Sequence, residues 1–232
     1  MTNPVIENIR RSLGGQRPPY NPRRGLGPRP AIYESRRPES VDSEIEQFLD
    51  EVRKLSGVAE KLSADSVSDA LKALVAKNGI RKATLWHTPL FEQLGIENTL
   101  RSLAVDIISP NADKHEMAHC DLGITEAEYI LPETGTLVLA SSAEKPRAVS
   151  LLPRLHLAIV RPEMLRPDLH QVFAEHIGRG EASLRPYTPD YLVFITGPSR
   201  TADIELTVTL GVHGPKNLHV WIMVKNLTVA FD

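Results

Sequence analysis

Cysteine is nearly absent from this sequence: Cys120 is the one thiol in 232 residues. No intrachain disulfide can form, and a single subunit cannot supply the several thiolates that an iron–sulfur cluster or a thiolate-rich zinc site needs. A reducing compartment is the expectation. Long apolar runs are missing too. No stretch of about eighteen apolar residues occurs, so no membrane span is expected, and Met1 to Arg11 lacks the apolar centre of a signal peptide. Both absences point to a cytoplasmic protein. Standard catalytic signatures are also lacking: there is no phosphate loop ending in Gly-Lys-Ser/Thr, no dinucleotide fingerprint and no Gly-x-Ser-x-Gly elbow.

What remains is a globular composition, 41% hydrophobic and 24% charged, long enough to bury a full core. The formal net charge of -2 favours neither a nucleic-acid partner nor a strongly acidic class, but it is unevenly spread. Residues 1–40 carry eight arginines against Glu7, Glu34 and Glu39, a net +5 that leaves -7 for the rest. From Gln16 to Pro38 the chain is dense in proline, glycine and arginine, a composition that offers no hydrophobic face to offset the entropy of ordering. Residues 1–38 therefore read as an appended arm and residues 39–232 as one domain.

Within that domain, Ile45, Phe48, Leu49, Val52 and Leu55 fall on one helical stripe, with Ser43 and Glu46 spaced as a capping box. A second amphipathic helix spans about Ser66 to Lys77, with Val67, Leu71, Leu74 and Val75 inward and Asn78-Gly79 as the stop. A third covers Asp168–Ile177 through Leu169, Val172, Phe173 and Ile177, with Pro167 near its first turn. Strands are expected at Ala83–Trp86, Ala104–Ile108, Thr136–Ala140, Leu155–Val160, Leu192–Thr196 and Leu218–Val224. Runs such as Thr136–Ala140 and Leu192–Ile195 are apolar on both faces, as strands between helices are. The alternation predicts an α/β fold: a mostly parallel sheet with helices on both faces. Trp86 and Trp221 lie in apolar strands and are expected to pack in the core.

Three glycine-bearing turns concentrate the candidate chemistry. Gly197-Pro198-Ser199-Arg200 follows a buried strand, and Thr201 to Leu206 reads as the opening of a helix, so turn amides, Ser199, Arg200 and Thr201 would hold an anion there. The structural alternative is that Ser199 or Thr201 caps the helix and Arg200 is a surface charge. Gly211-Val212-His213-Gly214 places a histidine on a loop, where an imidazole can reach a ligand, with Asp203 and Glu205 between the two turns. An exposed or backbone-bonded histidine is the alternative. Glu133, in Leu131-Pro132-Glu133-Thr134-Gly135, precedes an apolar strand, and partial burial would suit a general base or nucleophile. It could equally cap amides or pair with Arg147 or Arg200. His115 and His119 have helical spacing but no evident third ligand, so no metal and no cofactor are expected.

These residues resemble a known family. Thr196-Gly197-Pro198-Ser199-Arg200-Thr201-Ala202-Asp203-Ile204-Glu205, Gly211-Val212-His213-Gly214-Pro215, Glu133-Thr134-Gly135-Thr136-Leu137 and Ser150-Leu151-Leu152-Pro153 are similar, in order and spacing, to the LUD domain of lactate-utilisation proteins of the LutC/YkgG type. The likeness runs from about Glu39 to the C-terminus. It implies a fold of the ribose-phosphate isomerase and CoA-transferase type (NagB/RpiA/CoA transferase-like). It also implies work with iron–sulfur partner proteins in oxidising L-lactate to pyruvate, those partners carrying the clusters. Glu133-Thr134-Gly135 is similar to the Glu-Asn-Gly of CoA transferases, with a different middle residue. The expected function is a subunit of an L-lactate utilisation system that holds a small carboxylate or phosphate-bearing ligand. Glu133 and His213 are its candidate proton-transfer residues; Gly197, Ser199, Arg200, Thr201, Asp203, Glu205, Gly211 and Gly214 are its candidate binding residues. Two alternatives stay open: an independent CoA-, folate- or sugar-phosphate-dependent enzyme, and a scaffold whose arm docks an acidic partner surface, with nucleic acid the weaker fit.

Overall fold

The computed structural model describes residues 40–182, 191–202, 208–210 and 214–224. Helix α1 (Val41–Lys54) buries Ile45, Phe48, Leu49 and Val52 on its inner stripe. Its cap is Ser40, whose Oγ accepts the Ser43 amide at 3.1 Å, not the Ser43–Glu46 pair expected from spacing. Ser40 holds the extended backbone a cap needs, and the acidic first turn (Asp42, Glu44) and basic last turn (Arg53, Lys54) complement the helix dipole. The chain continues through β1 (Val58–Leu62), α2 (Val67–Asn78), β2 (Lys82–Leu85), α3 (Pro89–Gln93), α4 (Ile96–Ser102), β3 (Asp106–Ile108), α5 (Lys114–Ala118) and β4 (Leu122–Glu126). It then forms β5 (Tyr129–Leu131), β6 (Thr136–Ser141), α6 (Ala148–Leu151), β7 (Leu155–Val160), α7 (Leu169–Ala182), β8 (Tyr191–Ile195), β9 (Arg200–Ala202), β10 (Val208–Leu210) and β11 (Asn217–Met223). As the sequence predicts, α2 closes on Gly79 in the left-handed region.

Six strands make one parallel sheet in the order β1-β11-β7-β4-β2-β3, the α/β architecture expected from the alternation of strands and helices. Its centre is apolar on both faces: every residue of β7 is buried. The buried polar side chains on its strands are Thr84, Thr125, His156 and His219. His156 on β7 is fully buried, its Nε2 2.8 Å from Thr125 Oγ1 on β4, and burial pushes its pKa down to about 3. On β4, Gly123 is required by contact: an added Cβ would lie 1.9 Å from the Val149 carbonyl oxygen, so α6 rests on the bare backbone.

Two of the predicted sandwiched strands lie elsewhere. Thr136–Ser141 and Tyr191–Ile195 pair antiparallel, with β5 on the far side, in a separate three-stranded sheet ordered β5-β6-β8. The central strand β6 is wholly buried, whereas edge strand β8 leaves Tyr191 and Phe194 exposed. Helix α7 serves this small sheet: Val172 packs with Tyr129, Leu131 and Val138. Leu169 and Phe173, expected inward, are exposed, and Phe173 instead meets Phe194 at 5.9 Å between ring centroids. The side chain of Ile177 lies outside the described residues.

Candidate functional site

Two of the turns picked out by sequence, those at Gly135 and Gly197, meet at the C-terminal end of α1. The short turn Pro132–Thr134 ends at Gly135, whose φ of +60° is left-handed and whose added Cβ would lie 2.8 Å from the Val52 amide nitrogen. Gly197, at φ +83°, faces Leu55 in the same way, with an added Cβ 3.0 Å from Leu55 Cβ. A chain of hydroxyls ties the two turns together: Thr134 Oγ1, Thr136 Oγ1 and Thr196 Oγ1 are linked in series at 2.7 Å each. Beyond Gly197, the Ser199 amide donates to the Pro215 carbonyl at 2.9 Å, which brings Gly214 against Ser199. Arg200 closes the junction. Its Nη2 donates to the Leu55 carbonyl at 2.6 Å and to Ser56 Oγ at 2.8 Å, a cation placed on the carbonyl end of a helix.

Several expectations change here. Thr201 does not open a helix: Arg200–Ala202 is strand β9, paired antiparallel with β10 so that Arg200 faces Leu210 and Ala202 faces Val208. Thr201, Val208 and Thr209 are β-branched and favour the pleated conformation, so no helix begins at Thr201. The strand before Gly197 is an antiparallel edge strand, not a buried parallel one. Glu133 is exposed, so the burial expected to tune it is not observed. Asp203, Glu205, Gly211 and His213 lie outside the described residues, as does the side chain of Thr201.

A second locus, which sequence reasoning passed over, lies at the carboxyl ends of the parallel strands. The chain order reverses at β2, which has β3 on one side and β4 then β7 on the other. Loops leaving neighbouring strands at such a switch point part and open a crevice. A cavity of about 240 Å³ lies there, lined by Trp86 and Thr88 after β2, Glu126 and Glu128 at the end of β4, Lys145, and Arg161 immediately after β7. Arg161 pairs with Glu126 at 3.1 Å, both side chains largely buried. The Trp86 indole N–H donates to the Pro146 carbonyl at 3.0 Å, which fixes the ring, and the Lys145 ammonium stands over it 5.8 Å from the centroid.

Residues 45–223 match the family model of the LUD domain. The chain belongs to the LUD domain family. Among its relatives, lactate utilization protein C of Halalkalibacterium halodurans is 32% identical over 222 residues, covering 92% of this chain and 91% of the relative. The protein of the same name in Bacillus subtilis is 35% identical over 167 residues, covering 67% and 69%. A crystal structure of a DUF162 family protein from Deinococcus radiodurans superposes with a TM-score of 0.57 at 22% identity, covering 81% of this chain and all of that one, and so supports the same fold.

In this LUD domain His119 Nδ1 lies 2.6 Å from the His115 carbonyl oxygen. Cys120 is buried, and desolvation pushes its thiol up to about 11, so it stays protonated near neutrality. Among the described residues no helix is long and apolar enough to cross a membrane. One signal for the crevice was available: Arg161 directly follows the apolar run Leu155–Val160, and a charge at the carboxyl end of a buried parallel strand marks this position. No such signal marked Glu126, because Gly123 masks β4 as a strand.

Proposed function

We propose that this LUD domain protein is a cytoplasmic subunit of an L-lactate utilisation system, holding a small carboxylate while iron–sulfur partner proteins oxidise L-lactate to pyruvate. The observation that carries the reading is the junction at the end of α1, where turns sixty residues apart in sequence are bonded into one locus. The names of the relatives, lactate utilization protein C, supply the substrate. In this reading Arg200 and the Ser199 hydroxyl face the ligand carboxylate across the Gly197 and Gly214 turns. Both Arg200 contacts use Nη2, and a guanidinium carries further donors on Nη1 and Nε. Glu133 and His213 exchange the proton, with Thr201, Asp203, Glu205 and Gly211 completing the wall. Lactate loses two electrons and two protons on becoming pyruvate. The lone buried thiol offers no route for those electrons, which leave to the partners' clusters. Residues 1–38 belong to the reading as an appended basic arm.

Reconstitution tests this directly. Lactate-dependent reduction of an artificial acceptor by the iron–sulfur partners is expected to require this chain, and to fall about 100-fold or more with Glu133→Gln. Full activity of the partners without the chain contradicts the proposal.

A further inference from the structure

A groove of about 590 Å³ at the outer edge of the parallel sheet, between β1 and α2, is untouched by the proposed function. Ala70, Ala73, Leu74 and Lys77 fall on one stripe of α2 and form its wall. The two alanines are small and leave the space open. Its floor is one face of the sheet edge: Val58 and Glu60 of β1 stand beside His219 and Trp221 of β11 in register, with Leu62 next along β1. The groove shares no lining residue with the crevice and none with the bonded contacts of the junction.

His219 marks this groove as more than a surface dip. It is 8% exposed, lines the cavity and makes no hydrogen bond among the described residues. The little surface it keeps is turned into the groove. Desolvation holds its pKa below the usual value, so at pH 7 the ring is neutral and offers one N–H donor and one acceptor nitrogen. The charges of Glu60 and Lys77 act on it in opposite senses, which sets a carboxylate and an ammonium about the imidazole. Trp221 lies further along the same floor, and its buried indole nitrogen is likewise without a hydrogen-bond partner among the described residues. A buried polar group left unpaired is costly, so a ligand that reaches His219 gains more than one on open surface.

The charges of the lining decide what fits. Arg53 is held by Asp50 at 3.0 Å and donates to the Ala59 carbonyl at 2.9 Å, and Lys61 is paired with Glu46. Lys77 and Glu60 make no ion pair among the described residues. One positive and one negative group are thus left over, and a simple anion or cation answers only one of them. A zwitterion answers both. Val58, Leu62 and Leu74 supply an apolar surface beside the charges, and the volume falls in the range of small-molecule sites, roughly 300–1,000 Å³. We infer that the groove between β1 and α2 binds a zwitterionic α-amino acid with an apolar side chain, its carboxylate toward Lys77 and the His219 N–H and its ammonium toward Glu60. This ligand is not the hydroxy acid of the proposed function, which has no ammonium to meet Glu60.

Calorimetric titration of the full chain tests the inference. The probes are L-leucine, 4-methylpentanoate, which lacks the ammonium, 3-methylbutylamine, which lacks the carboxylate, and glycine, which lacks the apolar side chain. L-Leucine is expected to bind saturably at one site, and each of the other three about tenfold or more weakly, the scale of one charge-assisted hydrogen bond or one buried side chain. Glu60→Gln and Lys77→Met change exposed side chains, so the fold is not at stake, and each should weaken L-leucine by about tenfold. Arg200→Ala should leave L-leucine binding unchanged, so failure of the junction reading and failure of this one give different results. The inference is overturned if L-leucine gives no saturable heat, if Glu60→Gln or Lys77→Met binds it as wild type does, or if 4-methylpentanoate or 3-methylbutylamine matches it.

Discussion

The junction at the end of α1 and the crevice at the strand ends are built by opposite means. In the junction, backbone approaches backbone: Gly135 and Gly197 are left-handed and lie against α1, and hydroxyls and a guanidinium stitch the turns. In the crevice, topology does the work, and each of β2, β4 and β7 delivers one or two side chains to a shared gap. A site made by close approach leaves glycines at fixed spacing in the sequence. A site made by sheet order leaves single residues scattered from Trp86 to Arg161 with no motif between them.

The contrast predicts different responses to mutation. Gly135→Ala forces a Cβ to within 2.8 Å of the Val52 nitrogen at φ +60°, and should destabilise the fold by about 3 kcal/mol in urea denaturation. A loss below about 0.5 kcal/mol would mean that the junction yields easily. The next effect concerns β7, which carries Arg161 into the crevice. His156 is depressed to about 3 by burial, so between its ordinary value near 6.5 and 3 the unfolded chain binds a proton that the folded chain refuses. Its contribution is complete above that ordinary value and is lost as pH falls, by roughly 1.4 kcal/mol per pH unit. His219, also lowered by desolvation, acts in the same direction. Stability measured from pH 7 to 4 should show a shallower acid loss in His156→Gln, and an unchanged slope would argue against a neutral buried imidazole.

Smaller effects separate the two loci further. Arg200→Ala removes contacts to Leu55 and Ser56 from an exposed side chain and should cost about 1 kcal/mol. Lys145→Ala should change thermal stability by no more than about 0.5 kcal/mol, because that ammonium makes no ion pair among the described residues. If Lys145→Ala proved the more damaging of the two, the crevice would be a structural element and the contrast would fail.

Legibility in the sequence followed the same division. The helix from Val67 and the strands expected at Leu155–Val160 and Leu218–Val224, the latter observed at Asn217–Met223, were readable from apolar patterning, because each sits on the parallel sheet. The strands β6 and β8 were recognised but assigned to the wrong sheet, since an apolar run does not reveal which sheet buries it. Strand β1 was missed because Glu60 and Lys61 are exposed at the sheet edge, and β4 because Gly123 interrupts its pattern. The segment after Arg200 was read as helical from its turn and polar start, while its β-branched residues pair as strands. At the junction, the residues Glu133, Gly197, Ser199, Arg200 and Gly214 could be named in advance. Their partner, the carbonyl end of α1, could not, because it lies more than seventy residues away in sequence and carries no motif of its own.

The most direct test of the central proposal is calorimetric titration of the full chain with L-lactate and pyruvate, using wild type, Arg200→Ala and Lys145→Met. Saturable binding of at least one of them should be lost or weakened about tenfold in Arg200→Ala and persist in Lys145→Met. Equal binding by wild type and Arg200→Ala, or no binding by wild type, would contradict the assignment of the α1 junction as the carboxylate site.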